Sequence, residues 1–267
     1  MAISIEEKLK ELAQKYYISV KSSEQPKIKA SLESIKKKLI TDFGDRIVSI
    51  EVFGSYERKT ILPRNYDRKS DVDLLIVFDH ENINVNPSTY RKHLHDFAES
   101  FYPNSISYKS KPSVVLELNH INYDLVPAYR KDTGWFFENI RTYIPYSDTE
   151  WMETDIEGFS EKLEDVNKRY DYNVKRIIRL LKAWNAKVNY PIKSYSLERE
   201  IASMNFSGDD IEDGFFYAID NLSDDRKTSI AEEKVETLKE NAEYLKEALD
   251  DEDEEDVRKY LKRILPI

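Results

Sequence analysis

Ser70-Asp71-Val72-Asp73-Leu74-Leu75-Ile76-Val77-Phe78 opens with two acids one residue apart and continues as an unbroken apolar run. Side chains alternate faces along a β-strand, so Asp71 and Asp73 project side by side while Val72 and Leu74 pack behind them. Carboxylates at the mouth of a buried strand are costly unless they are paired or metal-bound. Two adjacent carboxylates repel unless a cation sits between them. Magnesium, a hard ion that prefers oxygen ligands and phosphate company, is the natural occupant.

Working outward, the segment Ile47 to Phe53 reads as an earlier strand, closed by Gly54-Ser55 sixteen residues before Asp71. Glycine lets the backbone approach a ligand closely. A serine hydroxyl and the adjacent N–H groups at a strand-to-helix turn can bind phosphate oxygens. Taken alone, Gly-Ser reads better as an ordinary turn. A third acid, Asp124, interrupts the apolar run Ile121-Asn122-Tyr123-Asp124-Leu125-Val126-Pro127-Ala128. Alone it reads equally well as a structural cap or hydrogen bond before Pro127. If its strand lies beside that of Asp71, the three acids form a cluster able to hold two magnesium ions roughly 3.5–4 Å apart. One ion would lower the pKa of an attacking hydroxyl, and the other would bind a triphosphate and its leaving pyrophosphate. Asp124, on the first ion only, would act as base or orienter for that hydroxyl. Between the glycine and the acid pair, Arg58, Lys59, Arg64, Arg68 and Lys69 face only Glu57 and Asp67 in charge, a locally basic loop on which a triphosphate could land.

The remaining pattern predicts helices over 4–17, after Pro26 (apolar Ile28, Leu32, Ile35, Leu39) and over Pro87 to Tyr102. It predicts strands over Ser113 to Leu118 and Ile121 to Val126, the latter ended by Pro127-Ala128, and a loop over Thr142 to Met152. Beyond this the chain reads as helical: an apolar face runs from Leu163 to Trp184, and further helices span Tyr195 to Met204 and Ile230 to Leu249. His93 and His95 flank Leu94 on a helix, where i and i+2 do not share a face, so no zinc site is expected there. The pattern is α+β: a mixed sheet with helices in the first half, then a helical second half, with an active-site cleft between.

The 267 residues suit one large domain or two small ones. No apolar run nears the length of a membrane span, and the first residues carry no signal-peptide pattern, so the expected location is the cytoplasm. The absence of cysteine excludes thiolate catalysis, disulfides and cysteine-bound zinc. A net charge of −10 argues against a long nucleic-acid partner. Residues 225–267 carry fourteen acidic and nine basic residues, with the run Asp250-Asp251-Glu252-Asp253-Glu254-Glu255-Asp256 read as a solvated linker between two helices.

The order strand, Gly-Ser, loop, Asp-x-Asp, strand and later Asp resembles the signature of polymerase-β-like nucleotidyltransferases. Within that superfamily the chain looks most like the bacterial CD-NTases, relatives of cGAS and 2′-5′ oligoadenylate synthetase. Asp124-Leu125-Val126-Pro127-Ala128-Tyr129, Arg179-Leu180-Leu181-Lys182-Ala183-Trp184-Asn185 and Lys193-Ser194-Tyr195-Ser196-Leu197-Glu198 are similar to three of its motifs. The resemblance implies a polymerase-β-like lobe with its N-terminal helices over 1–145 and a helical lobe over 146–267 that closes the cleft. It implies that Gly54 and Ser55 contact donor phosphates, and that Asp71, Asp73 and Asp124 ligate two Mg2+ ions, with Mn2+ as an alternative. It further implies that Lys182 reaches the triphosphate, Ser194 binds phosphate and Tyr195 stacks on the base. A lysine point charge suits phosphate, and base stacking tolerates any base.

The expected activity is attack of a ribose hydroxyl on the α-phosphate of an NTP, ATP or GTP, giving a cyclic or linear di- or oligonucleotide messenger in antiphage signalling. The alternative is transfer of nucleotides to an RNA 3′ end, a protein or a small molecule. The end Arg263-Ile264-Leu265-Pro266-Ile267 shows no glycine tail of the kind some relatives use for conjugation, which leaves any regulatory protein partner unassigned.

Overall fold

The structure is a computed structural model that describes residues 4–80, 85–134, 140–206 and 210–267. In chain order its elements are helices α1 (Glu6–Lys15) and α2 (Glu24–Phe43), strand β1 (Ile47–Phe53), the single turn α3 (Gly54–Glu57), β2 (Asp71–Phe78), α4 (Pro87–Phe101), β3 (Ile106–Lys109), β4 (Val114–Glu117), β5 (Asn122–Asp132), β6 (Ile140–Pro145) and β7 (Trp151–Thr154). Six further helices follow: α5 (Ile156–Arg169), α6 (Asn173–Lys187), α7 (Ser194–Ala202), α8 (Ile211–Asp220), α9 (Ser229–Asp250) and α10 (Glu254–Ile264). The chain divides into two compact units, one of residues 20–58 and 69–161, the other of 1–19, 59–68 and 162–267.

The first unit is built on a mixed sheet of order β1-β2-β5-β4-β3, with β6 added to β5 and β7 to β6. β2 and β5 are parallel, and the other pairs are antiparallel. One face carries Val72, Leu74, Ile76, Phe78, Tyr123 and Leu125, all buried. Helices α2 and α4 cover this face: Phe78 meets Phe43 of α2 and Tyr90 of α4 edge-on or tilted, and the Tyr123 hydroxyl donates to the Ile28 carbonyl at 3.0 Å. The apolar periodicity of Ile28, Leu32, Ile35 and Leu39 is the α2 side of that contact. On the opposite face Leu75, Val77, Val126 and Ala128 form a cluster under Phe53, Ile144 and Ile156. Arg130 fixes this face across two strands by a bidentate pair to Glu51 (2.8 and 2.7 Å).

Three details differ from the sequence reading. β5 does not stop at Pro127-Ala128 but runs on to Asp132. Pro127 lies beyond the last β4 pair, at Leu125, and before the first β6 pair, at Tyr129, so its missing N–H costs no ladder bond on that edge. The segment 142–152 is not a loop throughout: β6 and β7 form a hairpin whose turn, closed by Tyr146 N–H to Glu150 O at 2.8 Å, takes the Ser147-Asp148 turn chemistry. The apolar face from Leu163 to Trp184 belongs to two helices, separated where Asp171 and Tyr172 adopt positive φ of 50° and 62°.

The second unit is helical around α6, which packs against α1, α7 and α8. A polar stripe on this buried helix is satisfied residue by residue. Lys175 pairs with Glu164, and Arg179 donates to the carbonyls of Ala13 (2.9 Å) and Lys59 (3.0 Å). Lys182 pairs with Glu198, and Asn185 exchanges two hydrogen bonds with Ile192. The acidic run separates α9 from α10 and then becomes a cap: Asp253 accepts from the N–H groups of Glu255 and Asp256, and Glu254, Glu255 and Asp256 fill a first turn that favours negative charge.

Replacing Leu125 by Ala is expected to cost about 2–5 kcal/mol in urea unfolding. The same change at the 66% exposed Val48 of β1 is expected to stay within about 0.5 kcal/mol.

Candidate active site

The register of the parallel pair β2–β5 sets Asp73 opposite Asp124 and Asp71 opposite Asn122. Neighbouring strands lie about 4.8 Å apart, so the side chains of Asp73 and Asp124 leave the same sheet face as near neighbours, with Asp71 one pleat along. All three are half-buried, while Val72, Tyr123 and Leu125 beneath them are fully buried. On the other flank, antiparallel pairing sets Phe53, the last residue of β1, opposite Asp73. The chain then turns into α3 through Gly54 at φ +73°, and a Cβ there would lie 1.8 Å from Oδ2 of Asp73 and 3.1 Å from its Cβ. Glycine is therefore demanded twice, by conformation and by the carboxylate pressed against it. Ser55 stands half-buried in the first turn of α3.

Burial pushes the Asp124 carboxyl up, against the opposing effect of the Ser113 hydroxyl. That hydroxyl, 1% exposed at the start of β4, donates to Asp124 Oδ2 at 2.9 Å. Tyr108 of β3 lies in the same cross-strand row, opposite Val115, which is opposite Asp124. Burial, and then the charges of Glu117, Asp124 and Asp71, push its phenol up. Ser113 and Tyr108 were not singled out from the sequence. Nothing local in the sequence ties either residue to Asp124.

Of the other predicted site residues, Lys182 is 5% exposed on α6 and donates to Glu198 Oε1 at 2.8 Å, and Glu198 is 1% exposed and also accepts from Thr60 at 2.8 Å. Ser194 opens α7, and Tyr195 is 49% exposed, with the Arg199 guanidinium 5.9 Å from its ring centroid. Gly54, Ser55, Asp71, Asp73 and Asp124 thus fall in the sheet unit, and Lys182, Ser194 and Tyr195 in the helical one. The basic segment is partly packed: Thr60, Ile61 and Leu62 are buried, and Asp67 accepts from the Tyr190 hydroxyl at 2.5 Å. On α4, His95, Asp96 and Glu99 bring ligand atoms within 4.8 Å of one another, but Asp96 is taken by Lys92 and His95 faces Glu99 at 3.6 Å on the surface. Among the described residues no helix is long and apolar enough to cross a membrane.

The three aspartates offer only carboxylate oxygens, the donor set that hard divalent ions select, and the burial that lifts Asp124 would be offset by such an ion. The sheet bears this acid trio with a glycine turn against one member, and the family model for the Second Messenger Oligonucleotide or Dinucleotide Synthetase domain matches residues 3–167. The chain belongs to this family. The CD-NTase resemblance read from the motifs is therefore family membership, and the α+β fold is that of a nucleotidyltransferase family. A probable cyclic nucleotide synthase of Bacillus cereus strain VD146 is 25% identical over 195 residues, 60% of this chain and 57% of that protein, so the chain spans little more than half of its curated relative.

Among solved structures, the Bradyrhizobium diazoefficiens CD-NTase CdnG in complex with GTP superposes with a TM-score of 0.66 at 13% identity, covering 88% of this chain and 90% of that one. CdnC of E. coli MS115-1 with ATP gives a TM-score of 0.63 at 15% identity over 92% and 91%. The cyclic AMP-GMP synthase DncV of Vibrio cholerae with a linear intermediate gives 0.55 at 14% over 74% and 63%. These likenesses establish the shared fold.

Gly54→Ala is expected to lower stability by about 1–3 kcal/mol, read by chemical denaturation, because the positive φ is strained for alanine and the new methyl collides with Asp73.

Proposed function

We propose that this chain joins nucleotides into a cyclic or linear di- or oligonucleotide messenger by magnesium-dependent nucleotidyl transfer from NTPs. The reading rests above all on the pairing that sets Asp73 opposite Asp124 across two parallel strands. Asp71, Asp73 and Asp124 would hold the divalent ions, which supply charge neutralisation at the triphosphate and acidify the attacking hydroxyl. By resemblance, Asp124 would receive or orient the hydroxyl proton of the acceptor ribose. Gly54 lets the backbone of α3 come up against Asp73, and we assign its N–H groups and the Ser55 hydroxyl to the donor phosphates. By resemblance we assign Ser194 to phosphate and Tyr195 to a base; Lys182, assigned in the same way to the triphosphate, would have to exchange its partner Glu198 for it. The binding of GTP by one structural neighbour and of ATP by another supports nucleoside triphosphates as substrates. The role we infer for the product is antiphage signalling inside the cell. The acidic net charge supports a small acceptor over a long nucleic acid.

Incubating the protein with mixed labelled NTPs and Mg2+ is expected to release pyrophosphate and give small phosphatase-resistant products by mass spectrometry. Label that appears only when RNA or protein is added would instead establish the alternative acceptor. Asp73→Asn and Asp124→Asn are each expected to lower turnover by about 10²- to 10⁴-fold with the fold retained. Near-normal turnover in either variant would rule the carboxylates out of the chemistry.

A further inference from the structure

Ser113 sits immediately before β4, and its carbonyl is pinned by Ser110 N–H at 2.9 Å. The next residue, Val114, pairs with Leu125, which brings the Ser113 side chain alongside Asp124 on the carboxylate face of the sheet. Its hydroxyl donates to Oδ2 specifically, from a site sealed from solvent. An oxygen that accepts this proton keeps less electron density for a cation, so Oδ2 is the poorer of the two donors. The hydrogen bond thereby fixes the rotation of the carboxylate and biases ligation toward Oδ1.

Resting on the carboxylate reading above, we propose that Ser113 is a positioning residue that selects the divalent cation by confining Asp124 to ligation through a single oxygen. Magnesium accepts near-ideal octahedral sets in which carboxylates each give one oxygen, whereas calcium fills its larger shell by taking both oxygens of a carboxylate. Freed from Ser113, Asp124 can present both oxygens, and the preference for the smaller ion falls. Water cannot replace the hydroxyl without entering the buried space that Ser113 occupies.

The test is Mn2+ binding by the full chain, followed by the electron paramagnetic resonance of the free ion and displaced separately by Mg2+ and Ca2+. Wild type, Ser113→Ala, Ser113→Thr and Asp73→Ala are compared, with thermal melts to confirm folding. Ser113→Ala is expected to shift the ratio of Ca2+ to Mg2+ displacement midpoints toward calcium by about tenfold or more, and Ser113→Thr, which keeps the hydroxyl, to restore it. Ser113→Cys, a weak donor of similar size, gives the same reading should the alanine variant not fold. An unchanged ratio in Ser113→Ala or Ser113→Cys, with binding lost in Asp73→Ala, overturns the role of Ser113 and leaves the carboxylate site standing. Equal Mn2+ binding by wild type and Asp73→Ala overturns both.

Discussion

Everything proposed for this protein depends on the parallel pairing of β2 with β5, which lays two acids from distant parts of the chain against each other. Beneath them Val72, Leu74, Ile76, Tyr123 and Leu125 are buried, and each apolar side chain removed from water contributes about 1.5–3 kcal/mol. That burial holds the sheet in this register and sets the two acids side by side on the opposite face. On the reading proposed above, a divalent cation held there would neutralise them where a triphosphate also binds.

The surrounding contacts serve that geometry. On one side Gly54 lets the backbone press against Asp73, where any side chain would collide. On the other, Ser113 engages one oxygen of Asp124. Further along the same face, the apolar cluster of Leu75, Val77, Val126 and Ala128 and the Arg130–Glu51 pair hold the strands in register behind the acids. The carboxylates thus stand on a rigid sheet, which suits a site whose ligands must be held within a fraction of an ångström.

The helical unit solves a different problem. Its central helix α6 is buried along most of its surface, yet it carries Lys175, Arg179, Lys182 and Asn185. Unpaired, such groups would cost several kcal/mol each. Every one of them has a partner: Glu164, the carbonyls of Ala13 and Lys59, Glu198, and the backbone of Ile192. These bonds tie segments distant in sequence, including 59–68, to one helix and so specify a single packing.

Much of this was legible in the chain. Alternation at Asp71-Val72-Asp73 and the apolar run after it marked β2, and helical spacing marked α2, because both signals are carried by consecutive residues. The motifs around Asp124, Lys182 and Ser194 pointed to the family for the same reason. What stayed hidden was decided by neighbours in space. Pro127 continues β5 only because it falls in a gap between partner strands, and β6 exists because β5 offers it an edge, as β6 in turn does for β7. Lys182 meets Glu198 sixteen residues on, and Ser113 finds Asp124 across a strand pair. The order of residues by itself determined which side chains share a strand face or a helix face, since that follows from backbone periodicity. Only the tertiary structure decided which faces meet and which carboxylate oxygen is already engaged, since those depend on strand order and register, which are settled by the packing of the whole sheet.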